Sequence, residues 1–296
     1  MQKEICTFEI NQLTDQVMQI LPPKELLPYI KHYLFLESNA AHQKTLRLFS
    51  DGNTGMVFLL HQGRLSVNHS HYLPSSFLYG QISHFRDLVL AESTSFIIIV
   101  FQPDGLYQLL NISARELRDQ IVNTRDIFGQ SATSLHEALL QGKRPTDKIK
   151  TLNAFFYELM IQRKFSGHPL LSSVLSHINH HKGRLSVEQL VRYTGYTERH
   201  MERIFDAQIG MSPKKFTNIV QLHTFLKLLR SKPNITSLTT ICYESGYFDQ
   251  SHLIRAFKKY TGITPSQYLN STSRLAVNFM EFKEMPDPMS GLYNLS

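Results

Sequence analysis

The chain has no tryptophan and only two cysteines, Cys6 and Cys242, among its 296 residues. Two thiols in no metal or redox spacing exclude a disulfide framework and a zinc ribbon, and Cys242, set in an apolar helical pattern, reads as a small buried hydrophobe. No apolar run approaches the roughly 20 residues that span a bilayer, and the opening MQKEICTFEI lacks a charged segment followed by an apolar core. A cytoplasmic protein is expected. Phosphate-binding glycine loops, a nucleophile elbow and paired carboxylates in a supporting context are also missing, so no enzyme, no catalytic residue and no cofactor is expected. The length and a hydrophobic content of 42% leave room for two domains with separate cores.

Acidic residues are scarce in one region. From His168 to Asn270 there are 13 Lys and Arg against 6 Asp and Glu, whereas the remainder balances at 18 of each. The whole net charge of +7, with seven of the 14 histidines, therefore sits in that region and points to a polyanionic partner for it.

The same region repeats itself. RHMERIFDAQIGMSPKKF from Arg199 and SHLIRAFKKYTGITPSQY from Ser251 align His200 with His252, Met201 with Leu253, Arg203 with Arg255, Phe205 with Phe257, Gly210 with Gly262, Pro213 with Pro265 and Phe216 with Tyr268. Upstream, Gly195-Tyr196 matches Gly246-Tyr247 at a spacing one shorter, so the second copy carries one extra residue before its helix. This is a duplicated unit. In the first copy Ser186 opens a short helix that ends before Gly195; Thr197 then caps a second helix, stopped at Gly210, that buries Met201, Ile204 and Phe205. In the second copy Thr236 or Ser237 caps SLTTICYE, Gly246 turns, and the next helix buries Leu253, Ala256 and Phe257 while presenting Gln250, Ser251, Ile254, Arg255, Lys258 and Lys259. Each copy is a helix-turn-helix. A linking helix from Ser212-Pro213 to about Arg230 spans about 30 Å, near the roughly 34 Å between successive major grooves on one face of B-DNA.

With these residues in place, His168 to Asn270 resembles the DNA-binding domain of the AraC/XylS family of bacterial transcription regulators, whose pattern of Gly, an amphipathic helix with Arg and Phe, and Gly-x-[Ser/Thr]-Pro with an aromatic is present twice. The resemblance implies a seven-helix, bipartite domain and nominates Arg199, Glu202 and Arg203 in the first recognition helix (about 197–208), and Gln250, Ser251 and Arg255 in the second (about 249–260), as base or backbone contacts; Lys258 and Lys259 join them on the exposed face. Arg199 stands where the family usually has a small or aromatic residue. Glu202 would favour a cytosine N4 donor or else repel phosphate.

In the first half, GMVFLLHQGRLSVNH reads as two strands joined near Gln62-Gly63, SFIIIVFQPDG as a buried strand ending in a turn, and Ser75 to Leu90 as shorter strands. Helices follow over about 132–141 and 146–164, and in the second Ile149, Leu152, Phe156 and Leu159 form a stripe suited to packing on the β domain or to a dimer seam. This half resembles the cupin-like effector-binding or dimerisation domain that family members commonly carry. Gly63, His69 and His71 echo half of a metal-cupin motif, yet Ser75 or Ser76 stands where its glutamate belongs and no second histidine segment follows, so no metal is expected.

The fold class expected is α+β: a cupin-like β domain with two following helices over 1–165, an all-α bipartite helix-turn-helix domain over 166–270, and a tail without periodic signal over 271–296. The function expected is sequence-specific transcription regulation as an activator, with double-stranded DNA, RNA polymerase, a small-molecule effector and a second copy of the chain as partners. The alternative is a DNA-modifying or repair protein that uses Cys6 as nucleophile, although CTFEI lacks the basic surroundings that would activate a thiol.

Overall fold

The computed structural model describes residues 6–8, 15–38, 43–61, 63–68, 71–91, 93–162, 169–231, 238–276 and 279–282. The first half is built from β1 (Cys6–Phe8), β2 (Asp15–Ile20), β3 (Ile30–Ser38), β4 (Lys44–Leu48), β5 (Gly55–Leu59), β6 (Leu65–Val67), β7 (Ser76–Tyr79), β8 (Arg86–Leu90), β9 (Thr94–Phe101), the short helix α1 (Gly105–Leu110) and β10 (Ile121–Asn123). Helices α2 (Thr124–Phe128), α3 (Gln130–Gln141) and α4 (Pro145–Gln162) follow. Among the described residues the second half shows seven helices, α5 (Pro169–His180), α6 (Val187–Thr194), α7 (Glu198–Gln208), α8 (Pro213–Ser231), α9 (Leu238–Glu244), α10 (Gln250–Thr261) and α11 (Pro265–Ser271), then β11 (Thr272–Ala276) and β12 (Phe279–Phe282).

Two antiparallel sheets, ordered β1-β2-β3-β9-β5-β7-β10 and β11-β12-β4-β8-β6, face one another. The central strands of the larger sheet are covered on both sides, which is why they read as unbroken apolar runs rather than as an alternation. Along β9, Phe96, Ile98 and Val100 point between the sheets, while Ile97, Ile99 and Phe101 point at the helices behind. β5 and β6 do not form a hairpin: β5 lies between β9 and β7, whereas β6 pairs with β8 in the other sheet, so these consecutive strands belong to different layers.

Helix α4 resolves the double reading of its stripe. Leu152 and Phe156 are 0% and 1% exposed in the core behind the larger sheet, with Ile149 and Leu159 packed at its edge. The Phe156 ring meets Phe101 edge-on at 5.8 Å, and Tyr33 Oη donates to Asn153 Oδ1 at 2.7 Å. The stripe is consumed within the chain, and the dimer seam drawn from it is withdrawn.

The halves do not keep separate cores. The helical core contains Phe49, from just after β4, and Met280, from β12, both 0% exposed. Where a tail without periodic signal was expected, β11 and β12 form a hairpin that adds to β4, pairing Met280 with Arg47, and Glu281 meets Lys44 at 3.1 Å. Residues 283–296 lie outside the described residues.

Candidate nucleic-acid interface

The two helix-turn-helix units are assembled by local rules. Ser186 and Gln189 form a capping box on α6, Thr197 Oγ1 accepts from the His200 amide to cap α7, and Asp249 Oδ1 accepts from the His252 amide at 2.7 Å to cap α10. Thr236 and Ser237, the expected caps of α9, lie outside the described residues. Gly195 and Gly246 hold the turns at φ +72° and +84°, in the left-handed region that a side chain would strain.

One face of each recognition helix is buried as the spacing requires. Met201, Ile204, Phe205, Leu253 and Phe257 are buried, and Ala256 packs against the same core. On the opposite face of α7, Arg199 and Arg203 are exposed one turn apart, and an Arg203 Nη2 donates to His200 Nδ1 at 3.0 Å. On α10, Ser251, Arg255, Lys258 and Lys259 are exposed. Two nominated residues are placed differently. Gln250 is half-buried and its amide donates to Thr239 Oγ1 of α9, so its side chain braces the two helices of the unit. Glu202 is also half-buried; burial, and then the carboxylates of Glu198 and Asp206, push its acid above the usual range. With its neighbour Arg203 it lines a cleft of about 460 Å³ that also takes in Arg118, Asp206 and Lys215.

The β half grips the rear of this surface, which the sequence reading missed. The loop after α1 seats on the C-terminal end of α7: the Ala114 amide donates to Ala207 O at 2.8 Å, Arg118 Nε donates to Gly210 O at 2.6 Å, and Arg118 and Arg115 pair with Asp206. Lys215 Nζ donates to Ser83 Oγ at 3.0 Å, and its ammonium is held below the usual lysine range by desolvation. At the second unit, Arg47 forms a bidentate pair with Asp87, 2.7 Å at each oxygen, stacks on Phe85 and reaches Thr261 O. The matched glycines of the repeat serve both ends of this grip. Gly210 and Gly262 follow the recognition helices at φ +84° and +78°, and a Cβ there would lie 2.7 Å from Ala114 O and 2.5 Å from the Phe85 ring.

The other candidate sites are less developed. An apolar pocket between the sheets, lined by Leu48, Val57, Phe77, Ile98 and Ile121, offers about 30 Å³ of cavity. An open groove of about 960 Å³ lies between the β5–β6 crossover and α3, flanked by His61, Arg64, Tyr72, His136 and Glu137. His69 lies outside the described residues, His71 is exposed, and no group of three or more metal-binding side chains occurs among the described residues. The Cys6 side chain also lies outside them, and Cys242 is buried. No described helix is long and apolar enough to cross a membrane.

Residues 190–271 match the model of a helix-turn-helix domain, and residues 18–123 match a domain of unknown function (DUF6597). An uncharacterized HTH-type transcriptional regulator of Haemophilus influenzae is 36% identical over 87 residues, 29% of this chain and 28% of that protein. The HTH-type transcriptional regulator MtrA of Neisseria gonorrhoeae is 27% identical over 83 residues, 28% and 27% of the two chains. The chain thus spans less than a third of the length of these curated relatives. A solved structure of ToxT from Vibrio cholerae overlaps 80% of this chain and 97% of its own at 13% identity and a TM-score of 0.46. Residues 190–271 are thus an AraC-type helix-turn-helix DNA-binding domain, preceded by a β domain.

Proposed function

We propose that the protein is a cytoplasmic, non-enzymatic, sequence-specific transcription regulator that acts as an activator by placing α7 and α10 in successive major grooves of its operator. The observation that carries this reading is the pair of exposed basic helix faces at the two ends of α8. Its 19 residues span about 28 Å at 1.5 Å each, close to one groove repeat. Arg199, Arg203, Ser251 and Arg255 are the proposed base-reading residues and Lys258 and Lys259 the phosphate contacts; Gln250 braces the second unit, and Glu202 acts beside Arg203. RNA polymerase is the partner of an activator. A small-molecule effector is best accommodated by the open groove beside α3, which at about 960 Å³ far exceeds the cavity of about 30 Å³ between the sheets. A second copy of the chain would join through a surface other than the Leu152–Phe156 stripe.

The test is recovery of bound duplexes from a genomic fragment pool with the full chain, followed by titration of the recovered site across salt. A defined site with affinity falling steeply with salt is expected. No duplex retained at low salt overturns the reading.

A further inference from the structure

The two units differ by one residue between the turn and the recognition helix. In the first, Gly195-Tyr196 leads directly to the cap Thr197; in the second, Phe248 stands between Gly246-Tyr247 and the cap Asp249. That added side chain is 85% exposed, more than any other large apolar side chain among the described residues. It is not on a slack loop. On one side, Tyr247 is 4% exposed, its amide donates to Cys242 O at 3.1 Å, and its ring meets Phe225 and His252 edge-on. On the other, Asp249 caps α10. Both neighbours are pinned, and the ring between them is held outward at the N-terminal end of the helix that presents Ser251 and Arg255.

The N-terminal residues of a recognition helix are those that reach base edges, and the apolar feature on the floor of the major groove is the thymine 5-methyl group. A phosphate backbone offers a phenyl ring nothing comparable. We propose that Phe248 is a specificity-determining residue of the second unit, packing on the methyl group of a thymine next to the bases met by Ser251 and Arg255. The inference rests on the regulator reading above and adds to it the identity of one base and the side chain that reads it.

The experiment uses the full chain and the site recovered from a random duplex pool, with each thymine replaced in turn by deoxyuridine, which removes the methyl alone. Wild type is expected to lose about fourfold to tenfold in affinity at one thymine. Phe248→Ala should bind the unmodified site more weakly by a similar factor and be indifferent to uracil at that position, with an unchanged melting temperature because the ring is exposed. Phe248→Leu should retain part of the discrimination. Equal sensitivity of wild type and Phe248→Ala to every uracil overturns the proposal. Unchanged DNA binding by Phe248→Ala, together with lost activation in a reconstituted transcription reaction, also overturns it and assigns the ring to polymerase. Failure of wild type to enrich any duplex removes the regulator reading itself and this inference with it.

Discussion

Replacing Phe49 by Ala tests whether the two halves unfold as one body. Phe49 follows β4 in the β half, yet its ring is fully buried in the helical core, 5.8 Å from the ring of His223 on α8. His223 Nε2 also donates to Ser50 O at 2.9 Å, so the cavity would open at a junction that is hydrogen-bonded beside it and slow to collapse. Truncating a buried Phe costs about 3 to 5 kcal/mol. A protein stabilised by about 5 to 15 kcal/mol would lose about a fifth or more of that. Urea unfolding of wild type and Phe49→Ala should be followed by far-ultraviolet circular dichroism, dominated by the helices, and by native-state hydrogen exchange of β9 and α8. Both regions are expected to weaken together. A loss below about 1 kcal/mol, or destabilised strands beside an unmoved α8, would refute a shared core.

Other outcomes follow from single positions. Arg203→Ala and Arg255→Ala should each weaken operator binding by about 1 to 3 kcal/mol with little change in melting temperature, since both side chains are exposed, whereas Phe205→Ala and Phe257→Ala should cost about 3 to 5 kcal/mol of stability. Leu152→Glu should destabilise the β half, measured by thermal melt, because it puts a charge in a fully buried position; a stable variant that only dissociates a dimer would restore the seam. His32 is held down at about 4 by burial and then by Lys31. A base whose folded pKa is lowered binds protons more readily when unfolded, so its contribution is complete above about pH 6.5 and lost as pH falls toward 4, up to about 3 kcal/mol. His32→Gln should flatten the stability profile in that window, and an unaltered slope in denaturation across pH would remove His32 as its source.

The bipartite domain was legible in the sequence because its information is local. Thr197 caps a helix three residues ahead, Gly195 and Gly246 hold left-handed turns that a side chain would strain, and apolar residues at helical spacing name the buried face without reference to anything distant. The basic excess between His168 and Asn270 likewise needed only counting. The β half was legible in outline, since a run such as SFIIIVF announces a strand, but its pairing was not. β5 and β6 are neighbours in sequence and lie in different sheets, and β12 finds its partner β4 more than 200 residues away. Register of that kind is decided by which faces can be buried together, which no local pattern records. The same holds for the stripe on α4, whose spacing fits a seam and a core equally well until Phe101 and Tyr33 are seen to fill it. Glu202 and Gln250 had the residue types of DNA contacts, and only the tertiary structure shows both half-buried, Glu202 in a cleft with Arg203 and Asp206 and Gln250 bonded to Thr239. The single-residue insertion was visible in the alignment of the repeat from the start. That it is an exposed ring held rigidly at the mouth of α10 was decided by the burial of Tyr247 and the cap at Asp249, contacts made across the fold.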